Sequence, residues 1–396
     1  MTERLYYTDP YRRSFDATVV RVGDRDGRPA VFLDSTAFYP TSGGQPFDTG
    51  TLGGLPVVDV VDEDDGAIAH IVTTASGPPA VGQTVHGEID WARRFDHMQQ
   101  HSGQHVLSAA FDRLFHVRTV SFHLGSDVST IDLAREVTPS EIAAAEDAAN
   151  QIVWEDRPVH VRYATREEAA AMPLRKEPKR EGTLRLIDVE GWDLSACGGT
   201  HVKQSGGIGV IVVSSWERFK GGQRLEFLCG GRAVRRYRSN RDALGDATRL
   251  LSVLPQELPA AIERLQSDAR EHKRTAALRQ TELARYHAVE LAASAEVAGE
   301  LRLVLKAIDA DAAGLKSLAA AITSAPGFFV VLVSTSSPAL AVVARSSDVS
   351  VSAQSVLATL TGRFGGRGGG KPDLAQGGGL SGTSQEILDA ARQAAR

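Results

Sequence analysis

The chain is predicted to be an α+β protein in four parts. A small β-barrel occupies residues 1–90 and an α+β unit with a candidate zinc site residues 91–240. A helical arm follows over 241–299, and an α/β unit over 300–396. Three features predict this. Short apolar runs broken by Gly/Asp turns fill the first ninety residues; the apolar period becomes helical at Asp90; and near-continuous apolar runs return at Phe328.

At 396 residues the chain is too long for one small domain. Its 42% hydrophobic and 23% charged residues are those of an ordinary soluble globular protein. No apolar run is long enough to span a bilayer, and the start, Met1-Thr2-Glu3-Arg4-Leu5, lacks the basic-then-apolar signal pattern. A cytoplasmic location without membrane contact is therefore expected. Two cysteines, Cys197 and Cys229, cannot make a disulfide framework. A net charge of -5 offers no global attraction to nucleic acid, so any such surface must be local.

In the first part, Val19–Val22, Ala30–Leu33, Val57–Val61 and Ala67–Val72 read as strands, with residues 23–27 as one of the turns. Residues 36–50, which include Phe38-Tyr39-Pro40 and Gly43-Gly44-Gln45, read either as a long Gly/Pro turn or as a loop whose bare backbone approaches a ligand. From Asp90, residues Phe95, Met98, Val106, Leu107, Ala110, Phe111 and Leu114 mark one apolar face of a helix ending near Phe115. Thr138, Pro139 and Glu141 form the capping-box start of a second helix. The basic stretch from Arg175 to Arg180 reads as an exposed loop, either merely solvated or phosphate-contacting. Residues 184–189, 209–213 and 224–228 read as strands, with Cys229 a small buried hydrophobe. The absence of Pro and Gly between Pro259 and Gly299 permits a long helix with a weak heptad seam. Residues 328–333 and 339–344 read as strands covered on both faces. Residues 362–379 are too rich in glycine for strand or helix, and Arg363, Arg367 and Lys371 among bare amides suit an anion or a nucleic-acid backbone.

The chemistry concentrates in two short stretches. His101-Ser102-Gly103-Gln104-His105 places two imidazoles one helical turn apart, and Cys197-Gly198-Gly199-Thr200-His201 adds a thiolate and a third imidazole. Three nitrogens and one sulfur suit a single tetrahedral Zn2+ per chain. The gap between the halves is too wide for a zinc finger, and Ser102 stands where the HExxH protease helix carries its glutamate. A structural ion would use all four ligands, whereas a catalytic one normally keeps a position for water. One ligand could dissociate, the ion could orient substrate, or water could bind as a fifth ligand.

These two stretches, the loop with Phe38-Tyr39-Pro40, Gly43-Gly44-Gln45, Asp48 and Gly50, and Arg224-Leu225-Glu226-Phe227 resemble the editing domain of alanyl-tRNA synthetase. They resemble still more its free-standing relatives, the alanyl-tRNA editing hydrolases of the AlaX group. The glycine-rich tail resembles the DHHA1 domain that ends the synthetase and the long editing proteins. DHHA1 also accompanies Asp-His-His phosphodiesterases, but this chain has no Asp-His-His triplet. The barrel starts within the first dozen residues, which leaves no room for the synthetase's aminoacylation and tRNA-recognition domains ahead of it.

The resemblance implies a trans-editing enzyme that hydrolyses Ser-tRNA(Ala), or Gly-tRNA(Ala), and spares Ala-tRNA(Ala). It implies zinc on His101, His105, Cys197 and His201. Substrate would meet Ser42, Gln45, Gln104 and His123, and tRNA would meet Arg175, Lys176, Lys179, Arg180, Arg363, Arg367 and Lys371. Two other readings stay open. One is a zinc-stabilised tRNA-binding or dimerisation module without turnover; the other is editing of a different tRNA, since threonyl-tRNA synthetase editing domains share the histidine and cysteine pattern. A homodimer would use the helical arm or the DHHA1-like part.

Overall fold

Asp26 and Gly27 both adopt positive φ (53° and 76°), the backbone of a tight two-residue hairpin turn. They join strand Ser14–Arg25 to strand Arg28–Leu33 in a computed structural model that describes residues 1–75, 77–175 and 182–395. The turn is thus shorter than residues 23–27, because the strand runs on to Arg25. The first half of Ser14–Arg25 pairs with Thr84–Ile89 and its second half with Arg28–Leu33. With Ile68–Val72, Leu55–Asp62 and Gly50–Leu52 this closes a six-stranded barrel around Val19, Val31, Phe38, Leu52, Val60 and Ile68. Both short closing strands, Gly50–Leu52 and Thr84–Ile89, were absent from the sequence expectation.

The described residues fall into two units, Met1–Asp246 and Ala247–Arg396. In the first, helix Trp91–Phe115 begins at Asp90, whose side chain accepts from the Arg93 amide. It is more than one-sided: residues from Gln100 to Phe111 are all buried. Helix Pro139–Trp154 and an antiparallel sheet share its core. That sheet has the strand order Ile211–Phe219, Gly222–Cys229, Ser129–Leu133, Thr119–Leu124. Leu114, expected on the apolar face, is 46% exposed because burial fades in the last turn. The capping box of Thr138 and Glu141 forms as the sequence indicates. A second antiparallel sheet, Val159–Ala164, Leu184–Val189 and Asp193–Ala196, leads directly into Cys197.

In the second unit, helix Leu258–Ala293 fills much of the Pro- and Gly-free stretch, and its Ala288 joins a core with Leu315, Leu318 and Ile322 of helix Ala312–Thr323. Strands Phe328–Ser334 and Ala339–Arg345 are covered on both faces, as their apolar runs require. Val330, Leu332 and Val342 face that core, while Phe329, Val331 and Val343 face one built with Leu357, Leu360 and Ile387. The glycine-rich tail corrects the expectation. Arg367–Gly370 and Leu374–Leu380 are both strands, paired as a hairpin at the sheet edge. Leu357 packs so close to Gly368 and Gly377 that a Cβ on either would lie 3.1 Å from it. Glycine here lets a helix sit against the sheet, which overrides its low strand propensity.

One stability prediction arises from the core of the first unit. His70 is buried, donates from Nδ1 to the Val31 carbonyl at 2.9 Å and accepts from Thr36 Oγ1 at 2.8 Å. Burial lowers its pKa from 6.5 to about 4, against the smaller opposing effect of the Val31 bond. The unfolded chain therefore binds the extra proton between those values and the folded chain does not. Stability must fall as pH drops from 6.5 toward 4, by about 3 kcal/mol for this group. His97, also lowered to about 4 chiefly by burial, acts in the same direction. Urea midpoints at pH 7 and pH 4.5 check this; equal midpoints would contradict it.

Candidate metal centre

The buried helix holds His101 and His105 with ring centroids 5.4 Å apart, and the chain leaving strand Asp193–Ala196 carries Cys197 and His201 up to them. Cys197 Sγ lies 3.3 Å from His101 Nε2 and 3.3 Å from His201 Nε2. One ligand atom from each of the four residues lies within 4.8 Å of all the others. The sequence motifs therefore converge as a set.

Each imidazole is also held from behind. His101 Nδ1 meets Gln45 Oε1 at 2.8 Å, His105 Nδ1 meets Asp193 Oδ2 at 2.9 Å and His201 Nδ1 meets Ser102 Oγ at 3.2 Å. With Nδ1 engaged, Nε2 is the free donor on each ring, which is how ligating histidines are oriented. Gly199 is required by close approach: a Cβ there would lie 2.2 Å from the His101 ring. Arg185 fixes the same loop by donating to the carbonyls of Cys197 (2.8 Å) and Gly199 (3.0 Å). Burial alone would raise the Cys197 thiol, but the surrounding histidine rings, His101 first, outweigh it through electrostatic attraction and hydrogen bonding and hold the thiol well below its ordinary value. Burial would lower His105, yet its bonds to Asp193 and Cys197 raise it to about 9, while burial takes His201 down to about 3. A thiolate among oriented imidazoles is a donor set that fits a soft divalent ion such as zinc.

The centre lies on the wall of a cavity of about 560 Å³ whose lining includes Tyr39, Ser42, Gln104, His105, Phe122, Tyr163, Arg175, Arg185 and Cys197. No Asp or Glu is among its described lining residues, whereas Arg175 and Arg185 both are. The Gly-rich loop forms one side. Ser42 and Gln45 exchange backbone hydrogen bonds, and Gly44 (φ 84°) stands where a Cβ would lie 2.8 Å from Phe122. Asp48 anchors the loop: it accepts the Tyr39 amide at 2.6 Å and forms a wholly buried ion pair with Arg94 of the helix.

The expected substrate residues divide. Ser42 and Gln104 line the cavity. Gln45 is fully buried, with Nε2 donating to Thr200 Oγ1 at 2.8 Å and Oε1 shared by His101 and the Thr200 amide. His123 is exposed and is not among the lining residues. Arg175 departs from the exposed-loop expectation: its side chain is 14% exposed and pairs with Asp193. Lys176, Lys179 and Arg180 lie outside the described residues. Arg363, Arg367 and Lys371 are exposed in the second unit. Arg94, Arg185 and Asp193 were not foreseen; Asp193, four residues before Cys197, was the one nearest a recognised motif.

Residues 14–93 match the family model of tRNA synthetases class II (A), a match that falls on the barrel. Residues 184–226 match the threonyl and alanyl tRNA synthetase second additional domain, and residues 300–396 the DHHA1 domain. The alanyl-tRNA editing protein AlaX-L of Pyrococcus horikoshii is 37% identical over 67% of this chain and 66% of its own. The chain belongs to the AlaX-like editing family. It is also 34% identical to the alanine–tRNA ligase of Pyrococcus abyssi and 37% to that of Natronomonas pharaonis, over 95% and 100% of this chain. It covers only 42% and 44% of those ligases' lengths. The solved C-Ala domain from Aquifex aeolicus alanyl-tRNA synthetase aligns over 26% of this chain and 96% of its own, at 23% identity and a TM-score of 0.24. No helix among the described residues is long and apolar enough to cross a membrane.

Proposed function

We propose that this AlaX-like protein is a zinc-dependent aminoacyl-tRNA deacylase. It would cleave the ester of serine, or of glycine, mischarged on tRNA(Ala), and spare Ala-tRNA(Ala). The observation that supports this most is the convergence of three oriented imidazoles and one thiolate, of which His105 and Cys197 line a cavity with no Asp or Glu among its described lining residues. His101, His105, Cys197 and His201 would hold one zinc ion. Zinc, when bound, supplies Lewis-acid polarisation of an ester carbonyl or of water.

The chain's own residues would do the rest. Gln104, whose amide nitrogen donates to Ser108 at 2.8 Å, and Ser42, both of which line the cavity, would meet the substrate's hydroxyl. An alanyl ester would leave those polar groups unpaired and bind less well. Gln45, with both ends of its amide engaged, would orient His101 rather than touch substrate, and we assign His123 no contact in the cavity. The tRNA backbone would meet Arg175, Lys176, Lys179 and Arg180, and Arg363, Arg367 and Lys371 at and beside the glycine hairpin. A cytoplasmic location and a homodimer through the long helix or the DHHA1 domain belong to this reading.

The test is deacylation of Ser-tRNA(Ala), Gly-tRNA(Ala) and Ala-tRNA(Ala) by zinc-loaded protein. Faster cleavage of the seryl or glycyl ester than of the alanyl ester is expected; inactivity on all three would overturn the reading. A second reading, a zinc-stabilised tRNA-binding module, draws on the four-ligand set and the lack of a carboxylate base among the described residues of the cavity lining. It predicts tRNA(Ala) binding without cleavage in the same assay.

A further inference from the structure

The back of the metal centre is built more heavily behind His105 than behind the other two histidines. Asp193, whose side chain is fully buried, accepts from His105 Nδ1 at 2.9 Å and from Ser195 Oγ at 2.9 Å. On its other side the Arg175 guanidinium donates to both carboxylate oxygens, from Nε to Oδ1 at 2.6 Å and from Nη2 to Oδ2 at 3.3 Å. Arg175 is itself fixed at its backbone, whose amide donates to the Leu194 carbonyl at 3.0 Å. The fork therefore sets the plane of the carboxylate, and the carboxylate sets the rotation of the His105 ring. Gln45 and Ser102, which hold His101 and His201, are uncharged; only His105 is held by a carboxylate with a cationic clamp behind it.

We infer that Arg175 is a positioning residue of the metal centre: it locks Asp193 so that His105 keeps Nε2 turned toward Cys197. Arg175 also lines the cavity, so the guanidinium that steadies the metal ligand is within reach of whatever enters. The inference rests on the metal reading above and assigns Arg175 a role that an RNA contact alone would not give it.

The experiment is a zinc competition titration of the full chain against a chromophoric chelator, with binding of uncharged tRNA measured alongside. Arg175→Ala is expected to lose up to about 10-fold in zinc affinity, the low end of the cost of removing a ligand's own partner, since Arg175 acts through Asp193. Arg175→Lys, which keeps the charge but not the fork, should recover part of that loss. The cobalt-substituted Arg175→Lys protein should show shifted d–d absorption, a change that general destabilisation would not produce. Should the alanine variant fail to fold, the lysine variant's zinc affinity and cobalt spectrum decide alone. Zinc affinity and spectrum unchanged from the parent would overturn the inference. The same result with weakened tRNA binding would make Arg175 an RNA contact instead. A parent chain that takes up no zinc would overturn the metal reading and this inference together, and is distinguishable because it needs no variant.

Discussion

Cys197→Ala is expected to abolish zinc retention and, with it, deacylation of Ser-tRNA(Ala). The thiolate is the only sulfur in the donor set and the atom that His101 and His201 both approach at 3.3 Å. Its removal would take away the negative charge that offsets the ion, leaving imidazoles alone as ligands. The loss of affinity should exceed the roughly 10- to 100-fold typical of an outer-shell partner. Metal analysis after dialysis, paired with the deacylation assay, reads both effects. Full activity in a protein stripped of zinc would show that the ion plays no part in the reaction. Retained zinc with lost activity would place Cys197 on the substrate side instead.

Asp48→Ala is expected to cost about 3–5 kcal/mol of stability, because it strands a buried guanidinium. Neither Asp48 nor Arg94 has any exposed side-chain surface. Arg94 would keep its bonds to the Pro10 and Ala37 carbonyls but lose its only anionic partner, and the Tyr39 amide would lose its acceptor. Replacing both residues, as Asp48→Ala with Arg94→Met, should be milder than Asp48→Ala alone, since no charge then stays buried. Urea unfolding of the parent and the two variants measures this. A loss below about 1 kcal/mol in Asp48→Ala, the level of a surface pair, would mean that water reaches Arg94.

The candidate metal ligands were legible because their signal is local: four residues on a helix is one turn, and Cys197 to His201 repeats the interval. The strands at residues 57–61 and 328–333 were legible for the same reason, through short-range apolar patterning. What makes the site work was not local. Asp193 with His105, Gln45 with His101 and Arg94 with Asp48 join residues 88, 56 and 46 positions apart. Such pairs carry no spacing rule, and Gln45 was read as a substrate contact for want of knowing that both its amide ends were engaged. The glycine tail misled for a different reason. Composition argued against a strand, while the deciding interaction was the closeness of Leu357 to a backbone without side chains.

Gln45 has a consequence for how the protein assembles. Its one carbonyl oxygen is shared by His101 and the Thr200 amide, so a single atom from the barrel segment touches both halves of the metal-binding set. During synthesis the barrel segment emerges first, the histidine helix second and the cysteine turn last. The four-donor set cannot be complete until residue 201 has left the ribosome, and its His101 ring is not held until Gln45 of the barrel loop has closed on it. If the set holds a metal as proposed, tight capture would be a late event, reporting that three segments made at different times have found one another.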